Sequence, residues 1–371
     1  MARRTVETKI EVFPEADQLA NYPHPRATET LYGHKAARAE LATAIDTGSM
    51  HHAWLLTGKE GIGKATLAYK AAVYALADPG ERMPALDMRP GTLARRQVLQ
   101  LSHPGLLVIR RSYDIKAKRF PTAITVDEVR KLRSFLSHRN APGQWRVVII
   151  DRADELNINA ANALLKSLEE PPSQTVFFLI AVDTGKLLPT IRSRCRLLSL
   201  GPLANADLIA AADAAHARLS CDEEKHPPPN WQELAAAAAG SPRRLLALAC
   251  ENGAEITRAI DRIYGTLAKP DIVFQHTLAD KLTGNQSEQD YQLFVTLLLE
   301  RLADLIKTAA MQPMTEGKRP SAGLIQPDKL PIWAELWETL QREERNVRAL
   351  NLDRGAFLLE VFNRLERAAK A

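Results

Sequence analysis

The first 200 residues alternate short, wholly apolar runs with segments in which apolar residues recur at helical spacing. Runs without any polar residue are typical of strands that are buried on both faces of a parallel sheet. Four such runs are Ala53–Leu56, Leu106–Ile109, Val147–Ile150 and Val176–Ile180. Helical stripes lie between them, for example Val129, Leu132 and Phe135. The alternation predicts a doubly wound α/β domain with a parallel sheet.

The pattern changes after Gly201-Pro202. No further strand pattern follows, and the apolar residues keep helical spacing, as Leu358, Val361 and Leu365 do in the last segment. We therefore predict an N-terminal tail without periodicity over residues 1–24 and an α/β domain over 25–200. A small helical domain is predicted over 201–265 and an all-helical domain over 266–371.

Cysteine content and hydropathy limit the location of the protein. The three cysteines, Cys195, Cys221 and Cys250, are far apart and show no C-x-x-C spacing. This predicts a reducing, cytoplasmic location without a disulfide framework or a zinc site, and the nine histidines do not cluster at metal-ligand spacing either. No apolar run approaches the roughly 18 residues of a membrane span, and the N-terminus lacks the apolar core of a secretory signal, so we expect no membrane partner.

The charge balance is mildly basic, with a formal net charge of +5 over 371 residues. Such an excess allows an acidic or nucleic-acid partner without requiring one. Between Arg89 and Arg139, twelve lysines and arginines stand against three acids. This segment is either a solvated basic surface or a contact for DNA phosphates or an acidic neighbour.

A glycine-rich loop follows the first apolar run and precedes a helical segment. Gly58, Gly61 and Gly63 allow backbone amides to turn inward on phosphates, and Lys64 supplies a positive charge at the helix N-terminus. The sequence therefore predicts a cradle for a nucleotide such as ATP. In the usual pattern a hydroxyl follows the lysine directly and holds Mg²⁺, whereas here Ala65 follows and Thr66 comes one position later. Thr66 either approaches the metal through a shifted loop or packs within the first helical turn.

Asp151 ends the third apolar run and is expected at the ligand-binding edge of the sheet. The next residue is Arg152, whose charge would repel Mg²⁺ unless its side chain points away. Asp154 and Glu155 either substitute as the missing carboxylate or cap the following turn. We therefore expect weak or vestigial nucleotide binding at Gly58, Gly61, Gly63, Lys64, Thr66 and Asp151, with no bound metal and no hydrolysis.

Several landmarks together resemble the AAA+ clamp-loader family over about residues 25–250. They are Asn162–Pro172 with the sequence NALLKSLEEPP, Ser193-Arg194-Cys195, and Gly240–Arg243 with the sequence GSPR. The resemblance implies that Arg194 is an arginine finger acting in trans, whereas Cys195 beside it is interpreted as a packed residue and not a nucleophile. It also implies that Arg243 occupies the family's sensor-2 position, where it contacts the chain's own nucleotide or forms a salt bridge in the lid. The predicted helical domains would then be a lid and a C-terminal collar.

Two departures from the family pattern bear on function. Motor subunits of the family carry Asp-Glu where this chain has Asp151-Arg152, and many members carry a four-cysteine zinc module that is missing here. The resemblance implies a non-motor member of a hetero-oligomeric DNA polymerase III ring with motor subunits and a delta-type subunit. That ring would load the sliding clamp onto primed DNA during replication. The alternatives are an ATP-hydrolysing motor subunit and a standalone AAA+ ATPase.

Overall fold

The computed structural model describes residues 14–19, 22–116, 119–137, 144–218, 229–249, 251–284, 288–311, 325–350 and 352–370. The chain divides into two compact units, Met1–Leu246 and Ala247–Ala371. Cys221, Cys250 and most of the predicted N-terminal tail lie outside the described residues. The division into the four segments given above stays a prediction. Within the described residues, no helix combines the length and apolar character that crossing a membrane requires.

A five-stranded parallel sheet forms the centre of the first unit. The strands are β1 (Ala53–Thr57), β2 (Arg82–Met83), β3 (Asp87–Met88), β4 (Leu106–Ile109), β5 (Arg146–Ile150), β6 (Thr175–Ile180) and β7 (Arg196–Ser199). The sheet has the order β4-β5-β6-β1-β7, and β2 pairs with β3 in a separate small hairpin. Every residue of β1 and β6 is buried, as their largely apolar composition predicts.

Helices precede, separate and follow these strands, and several of them pack against the sheet. They are α1 (Lys35–Asp46), α2 (Lys64–Leu76), α3 (Leu93–Leu99), α4 (Val126–Ser137), α5 (Ile158–Glu169), α6 (Pro189–Arg192), α7 (Asn205–His216), α8 (Trp231–Ala238) and α9 (Pro242–Ala249). Val129 and Leu132 of α4 pack in one apolar cluster with Leu164 and Leu168 of α5. Because all five strands are parallel, the carboxyl ends of β1, β4 and β5 lie along one edge.

The second unit consists of helices in the part that the structure describes. They are α10 (Glu251–Gly265), α11 (Ile272–Thr283), α12 (Glu288–Met311), α13 (Leu330–Leu350) and α14 (Arg354–Lys370). Its core includes Phe294 and Phe362, which meet edge to face with ring centroids 6.1 Å apart, and the fully buried Trp333. The predicted fold class, a parallel α/β domain followed by helices, is therefore confirmed.

Candidate functional site

The glycine loop joins the end of β1 to the start of α2. Its three glycines adopt left-handed backbone angles, with φ of 136° at Gly58, 72° at Gly61 and 109° at Gly63. Residues with a Cβ rarely adopt these angles, which is why the loop needs glycine there. Helix α2 begins at Lys64, directly after the loop. The structure therefore brings the predicted cradle residues together at the carboxyl edge of β1. His34, which the sequence analysis did not select, supports the loop, since its Nε2 lies 2.8 Å from the carbonyl oxygen of Ile62.

Lys64 points back onto the loop. Its side chain is buried, and Nζ donates hydrogen bonds to the carbonyl oxygens of Gly58 and Lys59, at 2.8 and 2.6 Å. Burial lowers the pKa of Lys64 to about 8, against the opposing effect of Glu60. The ammonium group that would bind outer phosphates is thus directed at the protein's own carbonyl groups.

The side chain after Lys64 carries no oxygen. Gly63 caps α2, so Ala65 and Thr66 are the second and third residues of the helix. Successive residues of an α-helix differ by about 100° in direction, and Thr66 therefore cannot project where a residue at position 65 does. The helix starts at Lys64 without the shift that would let the Thr66 hydroxyl replace the missing ligand.

Arg152 is directed at carboxylates. Its backbone is left-handed, with φ of 60°. The guanidinium lies 3.0 Å from Glu155, 3.4 Å from Glu60 and 3.5 Å from Asp154. Glu155 also pairs with Arg111 at 2.7 Å, and Asp154 accepts a hydrogen bond from the amide of Asp183 at 3.3 Å. Asp154 and Glu155 are thus held by protein partners.

Arg243 lies against the glycine loop. A Cβ built on Gly61 would lie 2.4 Å from Arg243 Cβ and 2.6 Å from Ser241 Oγ, so this segment packs directly on the glycine. Ser241 Oγ donates a hydrogen bond to the carbonyl oxygen of Glu60 at 2.9 Å, and the amide of Arg243 donates one to the carbonyl oxygen of Gly61 at 3.3 Å. The Arg243 guanidinium donates at 2.8 Å to the backbone carbonyl oxygen of Asp17, an interaction the sequence analysis did not anticipate.

Asp17 belongs to a buried polar network that the sequence analysis missed, in a stretch predicted to be a loose tail. Its carboxylate lies 2.8 Å from Arg110, at the end of β4, and 2.7 Å from Nε2 of His24. Glu15 binds both Arg110 and Arg26, which lower its pKa to about 2 against the effect of burial. Three ligand-type atoms of Glu15, Asp17 and His24 lie within 4.8 Å of one another, but the guanidinium groups already bind the two carboxylates.

The carboxyl groups of Asp17 and Asp151 lie close enough for each to shift the pKa of the other. Two adjacent carboxyl groups cannot both be charged at low cost, so the two pKa values are pushed apart. Burial, with Asp17 beside it, raises the pKa of Asp151 well above its ordinary value. Burial alone would raise the pKa of Asp17, but His24 and Arg110 hold it well below its ordinary value. Of the two carboxyl groups, Asp151 is therefore the one that keeps a proton more readily, which makes it a poorer ligand for Mg²⁺ than an ordinary aspartate.

Arg194 lies in the turn between α6 and β7. One guanidinium nitrogen donates to the carbonyl oxygen of Thr190 at 2.8 Å, and the other lies 2.6 Å from the carboxylate of Glu169. The side chain retains 34% of its accessible surface. Cys195 packs against the core, and burial raises the pKa of its thiol to about 12, so it stays protonated at neutral pH as a packed residue does.

Sequence and structure comparisons connect this site to known proteins. The family model described as "DNA polymerase III, delta subunit" matches residues 33–204, which include the glycine loop, Asp151 and Arg194. Residues 33–204 are thus similar to a DNA polymerase III subunit family. The chain is 38% identical to DNA polymerase III subunit delta' of Pseudomonas aeruginosa over 192 residues, 52% of this chain and 53% of that protein.

The similarity extends to a second kind of subunit. DNA polymerase III subunit tau of Escherichia coli is 30% identical over 254 residues, 67% of this chain and 37% of that protein. The chain thus spans about half the length, or less, of these relatives. A DNA polymerase III gamma subunit-related protein from Thermotoga maritima superposes with a TM-score of 0.47 at 15% identity, covering 89% of this chain and 99% of that one.

Proposed function

We propose that this chain is a delta-prime-type subunit of a DNA polymerase III clamp loader, and that it binds ATP weakly or not at all and hydrolyses none. The observation that carries the proposal is the start of α2, where Lys64 is turned onto the loop and Ala65 offers no metal ligand. The raised pKa of Asp151 supports it, since a carboxyl group that keeps its proton more readily is a poorer ligand for Mg²⁺.

The chain's contribution to ATP hydrolysis is then Arg194. Phosphoryl transfer depends on positive charge placed around the γ-phosphate, and an arginine finger from a neighbouring subunit supplies it. In this function the chain is a relatively rigid member of a cytoplasmic, hetero-oligomeric ring. It presents Arg194 to a motor subunit, and the ring, with a delta-type subunit, loads the sliding clamp onto primed DNA.

The second candidate is a gamma/tau-type motor subunit, which the identity with subunit tau favours. A motor subunit needs its own metal site, whereas Ala65 offers no side-chain oxygen and Arg152 stands where motor subunits have a glutamate. A standalone AAA+ ATPase, the third candidate, would assemble with copies of itself.

Co-purification separates these candidates. The tagged chain is co-expressed with the gamma/tau-type and delta-type subunits from the same source, and the complex is sized and assayed for ATP hydrolysis. We expect a mixed complex that hydrolyses ATP, while the chain alone has no steady turnover. A self-assembled ring of this chain that hydrolyses ATP would refute the proposal, and so would turnover by the isolated chain that is lost on Lys64→Ala.

A further inference from the structure

The backbone around Arg194 is fixed by residues on both sides. Ile191 is fully buried, and Cys195 packs against the same apolar cluster. The amide of Arg194 donates to the carbonyl oxygen of Ile191 at 3.1 Å. The hydroxyl of Ser193 and the guanidinium of Arg194 both donate to the carbonyl oxygen of Thr190, at 3.1 and 2.8 Å. These contacts fix the Cα of Arg194 and one end of its guanidinium.

The other end of the guanidinium is fixed by Glu169. This residue is the last of α5, and Glu170 and two prolines follow it. A carboxylate at a helix C-terminus faces the negative end of the helix dipole, and the neighbouring Glu170 adds repulsion. Local helix preferences therefore do not explain why a glutamate stands at position 169. Its carboxylate lies 2.6 Å from Nη2 of Arg194, a residue far along the chain.

We propose that Glu169 is a positioning residue for Arg194, which holds the guanidinium in one orientation before the neighbouring subunit's nucleotide binds. The inference rests on the proposed function and names a further residue on which that function depends. A guanidinium has five N–H donors, and the contacts with Thr190 and Glu169 require two. Three donors stay available to a phosphate that approaches the exposed side.

Fixing the side chain in advance makes the finger more effective. A free arginine side chain loses considerable rotational freedom when it is immobilised, and that loss would otherwise be taken from the interaction with the phosphate. Because Glu169 is itself half exposed, its negative charge is screened by solvent and reduces the attraction for phosphate only modestly. Glu169 therefore acts mainly through geometry.

The test uses the assembled complex with Glu169→Gln, Arg194→Ala, the double variant, and Glu170→Gln as the matched control one residue away. Loss of positioning should lower kcat on the order of 5- to 30-fold in Glu169→Gln, with KM for ATP unchanged. The double variant should be no slower than Arg194→Ala alone, because Glu169 acts through Arg194. Glu170→Gln should match the unmodified complex.

The outcomes distinguish this inference from the proposed function. If Arg194→Ala lowers kcat and Glu169→Gln does not, the positioning role is wrong and the finger stands. A higher kcat in Glu169→Gln would also overturn the positioning role, since the contact with Glu169 would then hold Arg194 away from its place in catalysis. An equal loss from Glu169→Gln in the presence and absence of Arg194 would identify a purely structural effect. If neither variant changes kcat, the finger itself is refuted.

Discussion

Replacing Arg194 by alanine is expected to slow ATP hydrolysis at the site that adjoins this chain by on the order of 10³-fold or more. The guanidinium is partly exposed and held at the tip of a fixed turn, so a neighbouring triphosphate can reach it. The alanine variant should still fold and assemble, because Ile191 and Cys195, and not the arginine, pack in the core. Single-turnover ATP hydrolysis is measured in complexes in which the glycine-loop lysine of every other nucleotide site is replaced. Only the site that adjoins this chain then hydrolyses ATP.

The control for this experiment is Arg192→Ala. Arg192 is exposed, lies two residues away and has the same charge, so a general electrostatic effect would slow both variants alike. Arg194→Lys should also be slow, because a lysine keeps the charge but lacks the planar fork that binds two phosphate oxygens. Normal hydrolysis in Arg194→Ala, with the complex intact, would rule out the finger.

The second large effect is expected for stability. Asp17→Ala removes the carboxylate between Arg110, His24 and Asp151, while Arg243 keeps its bond to the backbone of residue 17. Arg110 and His24 then keep only Glu15 of their two carboxylate partners in this network, and we expect the free energy of unfolding to fall by about 2 kcal/mol. Denaturant unfolding measures it. Asp127→Ala, which removes an exposed pair with Arg130, should change it by less than about 1 kcal/mol. If both variants lower the free energy of unfolding equally, the buried network stabilises the fold no more than the exposed pair does.

The neighbouring Asp151→Asn variant should behave differently. The asparagine amide resembles a protonated carboxyl group in shape and stays neutral at every pH. In the folded protein the pKa of Asp151 is raised above its value in the unfolded chain. At pH values between these two pKa values, the folded state therefore binds more protons than the unfolded state. Stability then falls by about 1.4 kcal/mol per pH unit as pH rises through that window. Asp151→Asn should lose this slope and gain stability over the native protein as pH rises through the same window, which denaturant unfolding at a series of pH values measures. A parallel pH profile for the two proteins would mean that Asp151 is charged.

Much of the fold follows from the sequence because burial dictates the pattern. β1, β5 and β6 are buried on both faces and are therefore almost continuously apolar, which identifies them. The absence of a hydroxyl side chain at position 65 is also visible in the sequence, since it depends only on the spacing from Lys64. The structure adds that α2 begins at Lys64, so the side chain of Thr66 projects in a different direction from that of residue 65.

The polar contacts could not be predicted in the same way. Asp17 and Arg110 are 93 residues apart, and nothing in the chain near Asp17 indicates its partner. Polar pairs carry no periodicity, and their partners are fixed only when β4 and β5 place Arg110 and Asp151 at neighbouring strand ends. The same holds for Glu169, whose distance from Arg194 depends on how α5 packs beside α6.

The central claim is that this chain contributes Arg194, and not its own nucleotide cradle, to hydrolysis. The most direct test is the steady-state ATPase rate of the assembled complex in which this chain alone carries Lys64→Ala, beside the complex with Arg194→Ala. The account predicts that Lys64→Ala leaves the rate within about twofold of the unmodified complex, while Arg194→Ala lowers it. A loss with Lys64→Ala, in a complex that still assembles, together with an unchanged rate for Arg194→Ala would contradict it.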